Sequence, residues 1–128
     1  MILLYPDPFL TKVIPQSTSV SCKNVLKMFE VMNKHNAIGL AANQIGLNDR
    51  VIIIKRYWVF INPVITKSKG ATKLTEQCLS LPGQDFTIAR ANEIEIECQF
   101  KYKFSGILAW IIQHETDHLN GILINEKA

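Results

Sequence analysis

Gln113-His114-Glu115-Thr116-Asp117-His118 is the stretch from which the rest of this chain can be read. Its two histidines stand four residues apart, which on a helix is about one turn and the same face. Two imidazoles stacked in that way can hold one metal ion, and Glu115 beside them is a candidate general base. The pattern points to a metal-dependent hydrolase with a metal-bearing helix at its centre. Ile107, Trp110 and Ile111 precede His114 at helical spacing and share its face, which is the signature of a core helix and equally of an apolar pocket wall.

Working outward, 128 residues suit a single domain with one hydrophobic core. The net charge of +3 is too mild to argue for nucleic acid, and the lysines and arginines form no stripe. The longest apolar runs, such as Ile107 to Ile112, are far short of a membrane span. Pro6-Asp7-Pro8 interrupts the N-terminus where a leader would turn apolar, so an intracellular, cytoplasmic location is expected, with no membrane partner. Cys22, Cys78 and Cys98 cannot all pair within one chain, and they read as thiols. Cys22 and Cys98 are expected to be small buried hydrophobes.

Ser19 or Ser21 is placed to cap a helix that runs to about His35 on the apolar stripe Val25, Leu26, Met28, Phe29 and Met32. Val51 to Ile54 and Val59 to Ile61 read as short strands, and Lys67 to Lys73, with Gly70, as a loop or hairpin end. Ile94 to Phe100 alternates apolar and polar residues as a half-exposed strand does. The last helix is expected to begin near Ser105 and to stop at Gly121, leaving a tail prone to fraying.

A catalytic zinc-type site usually takes three protein ligands and keeps one position for water. One common arrangement draws the third from a histidine six residues after the second, but Ile124 stands there. Another uses a glutamate on a following helix, and too little chain remains for that. The third ligand is therefore expected upstream. His35 falls at a helix end, in a capping or surface position, whereas Cys78 lies in Glu76-Gln77-Cys78-Leu79-Ser80, a setting that reads as a strand or turn nearing the centre. Two imidazoles and a thiolate suit zinc or ferrous iron.

These residues resemble the motifs of the peptide deformylases. The family's Gly-apolar-Gly-apolar-Ala-Ala-x-Gln corresponds here to Ala37-Ile38-Gly39-Leu40-Ala41-Ala42-Asn43-Gln44. Its Glu-Gly-Cys-apolar-Ser corresponds to Glu76-Gln77-Cys78-Leu79-Ser80, and its Gln-His-Glu-x-Asp-His to Gln113–His118. Pro6-Asp7-Pro8, Ile61-Asn62-Pro63, Arg90 and His118-Leu119-Asn120-Gly121 extend the likeness over nearly the whole chain. Three motifs in order are far more specific than one His-Glu-x-x-His.

The resemblance implies an α+β fold of short, mostly antiparallel strands packed around the metal-binding helix. It implies removal of the formyl group from the N-terminal methionine of nascent polypeptides. One divalent metal would be held by Cys78, His114 and His118, ferrous iron in the cell, with zinc, nickel or cobalt as alternatives in isolated protein. Glu115 would move the proton, and the Gln44 amide and Leu79 backbone N–H would donate to the oxyanion. Ile38, Gly39, Leu74, Gln77, Ile107, Trp110 and Ile111 would line the substrate cleft, the Gly39 backbone pairing with the substrate chain. Glu76 and Arg90 would pair to support the loop around Cys78, and Asp117 would be structural. A monomer is expected. The C-terminal helix with which longer members dock on the ribosome has no counterpart, so ribosome association is not expected; in its size the chain resembles the members encoded by bacterial viruses.

Three departures from the pattern bear on these expectations. Ala37 replaces a glycine and would be strained if the backbone there needed positive φ. Gln77 replaces the glycine before the metal-binding cysteine, where its side chain would narrow or polarise the cleft. The stretch between Phe100 and Gly106 is short for the family's hairpin. Competing readings are a relic that binds N-terminal peptides without hydrolysing them, an amidase or protease with other substrates, and a structural zinc site, in which Glu115 and Gln44 would have no task.

Overall fold

Val51-Ile52-Ile53-Ile54 is β-branched throughout, the composition of a strand covered on both faces. The computed structural model, which describes every residue but Tyr57, bears this out. Strand β2 (Val51–Ile54) runs between β1 (Gly39–Ala41) and β3 (Trp58–Ile61), antiparallel to both. Because side chains alternate across a strand, its residues feed two cores. Val51 and Ile53, with Leu40, pack against Met28, Val31 and Met32 of helix α1 (Cys22–Lys34). Ile52 and Ile54, with Ala41, pack against Ala109, Ile112 and Leu119 of helix α2 (Ile107–Leu119). The sheet is thus sandwiched between α1 and the helix that carries both histidines.

A second sheet, in the order β4 (Val64–Lys69), β7 (Glu93–Glu97), β8 (Lys101–Ser105), turns Ile94 and Ile96 onto the α2 core. The intervening Glu93, Glu95 and Glu97 lie in register with lysines such as Lys69, Lys103 and Lys101. A third sheet is the hairpin of β5 (Thr72–Cys78) and β6 (Leu81–Arg90). It builds a third cluster in which Cys78, Leu81 and Ile88 meet Leu10 of a 3-10 turn (Pro8–Thr11) and Leu123 and Ile124 at the C-terminal end. Every strand pairing is antiparallel among the described residues, so the fold is α+β as expected.

Several boundaries differ from the sequence reading. Ser21 is the residue that caps α1, its hydroxyl accepting from the Lys23 N–H at 3.1 Å. Lys67 to Lys69 belong to β4 and Thr72 and Lys73 to β5, but the two strands pair with different partners, so Gly70 turns the chain from one sheet to another. β7 ends at Glu97, and Phe100 lies beyond it, exposed. Ser105 closes β8, and Gly106, at φ 65°, makes the strand-to-helix turn that a serine cannot make cheaply. Cys22 is exposed and Cys98 half-buried, because the first helical turn of α1 faces solvent and Cys98 lies past the strand end. The last residues do not fray: α3 (Ile124–Lys127) seats Leu123 and Ile124 at 1% and 3% exposure against the hairpin.

Candidate active site

One turn of α2 sets His114 and His118 on one face, and their rings stand 5.1 Å apart. The end of β5 brings Cys78 to the same point, with its Sγ 3.4 Å from His118 Nε2. The three ligand atoms all lie within 4.8 Å of one another. Tetrahedral coordination with bonds of about 2.0–2.3 Å separates ligand atoms by roughly 3.5 Å, so the set closes on a single ion with small side-chain adjustments. Among the described residues no other group of histidine, cysteine and acidic side chains makes such a cluster.

The orientation of His114 is fixed from outside the cluster. Its Nδ1 lies 2.7 Å from Glu76 Oε1, which leaves Nε2 as the ring's free ligand atom. Glu76 in turn receives both arms of Arg90, Nε to Oε2 and Nη2 to Oε1, each at 2.9 Å. The third guanidinium arm donates to Asp117, which also takes Lys127 at 3.0 Å. Arg90 is 2% exposed, so this network links β5, β6, α2 and α3 through a buried cation. Asp117 thus has a defined structural partner in Arg90.

These contacts set the charges of the site. Burial raises the Glu76 carboxyl, but hydrogen bonds from His114 and Arg90, with the charge of Arg90, outweigh it and bring it down to about 2. Burial disfavours a charged His114, yet hydrogen bonds to Cys78 and Glu76 and the charge of Glu115 push it up to about 10 in the metal-free protein. His118, more deeply enclosed, is lowered well below its ordinary value by burial and then by the charges of His114 and Arg90. Glu115 is raised to about 7, chiefly by burial, with the charges of His114 and Arg90 opposing. A carboxyl poised near neutrality can both take and return a proton.

Gln44 lies in a 3-10 turn (Ala42–Ile45) that directly follows β1, and it is 2% exposed. Its Oε1 accepts from the Ala41 N–H at 3.1 Å, and this fixes the amide so that Nε2 faces Cys78 Sγ at 3.7 Å and Ser80 Oγ at 3.2 Å. Glu115 Oε1 is buried with no hydrogen-bond partner among the described residues, a costly state for a polar atom unless a ligand or water meets it. An oriented donor, an unpartnered acid and three ligand atoms thus converge on one point.

That point opens into a cleft of about 1230 Å³, into which all the residues expected around the substrate fall. Ile107, Trp110 and Ile111 line it from α2, Leu74 and Gln77 from β5, and Gly39 and the preceding Ile38 from the start of β1. Gly39 does not take positive φ. A Cβ there would lie 2.8 Å from Glu115 Oε2 and 3.0 Å from Ile111 Cγ2, so the position suits glycine because α2 passes against it. Ala37 is likewise outside the positive-φ residues and carries no strain from its side chain. Gln77, at an irregularity in the β5–β6 pairing, donates to Asp85 at 2.8 Å.

Sequence reasoning missed Asn43 and Ser80. Asn43, fully buried, donates to the His118 carbonyl at 2.6 Å, and Ser80 accepts from Gln44. Both sit inside quoted motifs, but nothing in their residue type announces a contact with an element distant in sequence.

Comparison with known proteins agrees with this geometry. The model of the family described as polypeptide deformylase matches residues 1–128. A peptide deformylase of Neisseria meningitidis serogroup C is 38% identical over 141 residues, covering 98% of this chain and 84% of the relative. A solved Plasmodium falciparum peptide deformylase in complex with an inhibitor superposes with a TM-score of 0.93 at 36% identity, over 99% of this chain and 88% of that one. The enzyme of the Vibrio parahaemolyticus bacteriophage VP16T, in complex with actinonin, gives 0.90 at 32% identity, with coverage of 96% and 98%.

Proposed function

This chain belongs to the polypeptide deformylase family, and from that premise we propose that it hydrolyses the N-formyl group from the N-terminal methionine of newly made polypeptides and releases formate. It is an enzyme of the hydrolase class, acting as one catalytic domain and as a monomer. The observation that carries the mechanism is the convergence of Glu115 and the oriented Gln44 amide on the Cys78–His114–His118 cluster.

Cys78, His114 and His118 would hold one divalent metal, ferrous iron in the cell, with zinc, nickel or cobalt as substitutes in isolated protein. When bound, the metal supplies Lewis-acid polarisation and lowers the pKa of water. Glu115 accepts a proton as the water oxygen adds to the formyl carbon. The Gln44 Nε2–H and the Leu79 backbone N–H donate to the oxygen that gains charge as the tetrahedral intermediate forms. Glu115 then passes its proton to the departing amine as the C–N bond breaks, leaving formate and a free N-terminus. The methionine side chain enters the apolar wall of Ile107, Trp110, Ile111 and Leu74. β1 is an edge strand, so its outer side, at Gly39, is open to pair with the extended substrate chain.

No helix is long and apolar enough to cross a membrane among the described residues. We place the activity in the cytoplasm, where nascent chains emerge, acting on the peptide with no nucleic-acid or membrane partner. The test is formate release from a formyl-Met-Ala peptide by iron-loaded protein purified without oxygen, beside Glu115→Ala. Release by the parent, reduced at least about 10³-fold in the variant, is expected. No release from a protein with bound metal would sink the reading, and equal release from acetylated peptides would make the enzyme a broader amidase.

A further inference from the structure

The cleft continues well past the methionine wall, and its mouth has a distinct chemistry. Ile38 and Ile107, 54% and 67% exposed, flank it with apolar surface. On the bank formed by the C-terminal end of α1, Lys34 and His35 also line it. Among the described residues neither has an acidic partner within ion-pair distance; Glu30, one turn before Lys34, makes no such pair. The acidic residues that line the cleft are Glu76 and Glu115. Both lie at its closed end, Glu76 bound by Arg90 and His114 and Glu115 5% exposed. The cleft is therefore polarised: its acids are committed at the reacting end, whereas Lys34 and the amino group of Met1, a residue that also lines the cleft, make no ion pair among the described residues.

Gly39 abuts Glu115, so an extended chain pairing with the edge of β1 and starting at the reacting end would run outward past Ile38 and Ala37 towards the end of α1, where Lys34 lines the same cleft. With about 3.3 Å gained per residue, the residues beyond the second are the ones that would approach that end. We propose that this enzyme discriminates among formylated nascent peptides in favour of those with an acidic side chain at the third or fourth position, and that Lys34 is the specificity-determining residue. Gln77, which also lines the cleft, has its amide engaged by Asp85. The inference rests on the deformylase reading of the site, and the experiment separates the two.

Formyl-Met-Ala-Xaa-Xaa amides with Xaa glutamate, glutamine or lysine, blocked at the C-terminus so that no terminal carboxylate competes, would be assayed for kcat/KM at low and high ionic strength. The glutamate peptide is expected to exceed the glutamine peptide by about 2- to 5-fold at low salt, the range of an exposed ion pair, and by less at high salt. Lys34→Gln should abolish that ratio while leaving the glutamine peptide unchanged, and Lys34→Glu should turn the preference towards lysine. Equal rates for all three peptides, or a glutamate preference that survives in Lys34→Gln, would overturn the inference and leave the deformylase reading intact. Hydrolysis of none of them would overturn both.

Discussion

At Gly39 the cost of a single methyl group can be argued from distance. Its backbone conformation admits alanine, but the new Cβ would press on the Glu115 carboxylate and on Ile111, both on the face of α2 that carries the chemistry. Gly39→Ala should therefore lower kcat by at least about tenfold, since small misplacements of reacting groups are costly, while shifting the unfolding midpoint little. Steady-state kinetics beside thermal unfolding would check it; unchanged kcat would mean that Glu115 moves freely. The family resemblance offered one reason for this glycine, pairing with substrate, and the structure adds another, the closeness of a helix distant in the chain. The grouping of His114, His118 and Cys78 was legible, because each is a residue type that can ligate a metal. Gly39, Asn43 and Ser80 were not, because their roles are defined by what packs against them.

Between elements, the Arg90 network decides how firmly the ligands are held. Removing the guanidinium in Arg90→Met leaves Glu76 with His114 alone and Asp117 with Lys127 alone, in a place where Arg90 itself was 2% exposed. Breaking a buried pair on one side costs about 3–5 kcal/mol, and loosening Glu76, the partner that orients His114, should weaken metal affinity by up to the roughly 10–100-fold that outright loss of such a partner costs. Denaturant unfolding and competition with a chelator would read the two effects separately. The acid limb follows from the same contacts. Glu76 has its folded pKa at about 2, below the ordinary 4.5, so the unfolded chain binds this proton first and stability falls as pH falls. Its contribution is whole above 4.5 and gone near 2, and in metal-free protein the stability gap between the parent and Glu76→Gln should close across that window. A gap that stays constant would show that the carboxylate charge is not what stabilises the fold. The pairing of Glu76 with Arg90 was expected from sequence. The inclusion of Asp117 and Lys127 was not, because it depends on α3 folding back where a frayed tail was expected.

For the molecule as a whole, the three candidate ligands matter because they come from two different packing units. Cys78 belongs to the cluster formed by the β5–β6 hairpin and the C-terminal segment, whereas His114 and His118 ride on the helix that the other sheets enclose. A chain this short buries a modest fraction of its surface, so an ion joining those units stabilises the fold by its binding free energy, about 2.7 kcal/mol at a hundred times the dissociation constant. Each kcal/mol moves the midpoint of a domain of this size by roughly 4 °C, so chelation should lower Tm by about 10 °C. The loss should also be local. Amide exchange should quicken first in β5 and β6, where the hairpin is left with Leu10, Leu123 and Ile124 as its apolar anchors. His118→Ala, which removes one ligand, should show a Tm insensitive to chelator. A parent whose Tm does not respond to chelation, or exchange that quickens evenly across all three sheets, would mean that the packed clusters alone hold the hairpin to the helix.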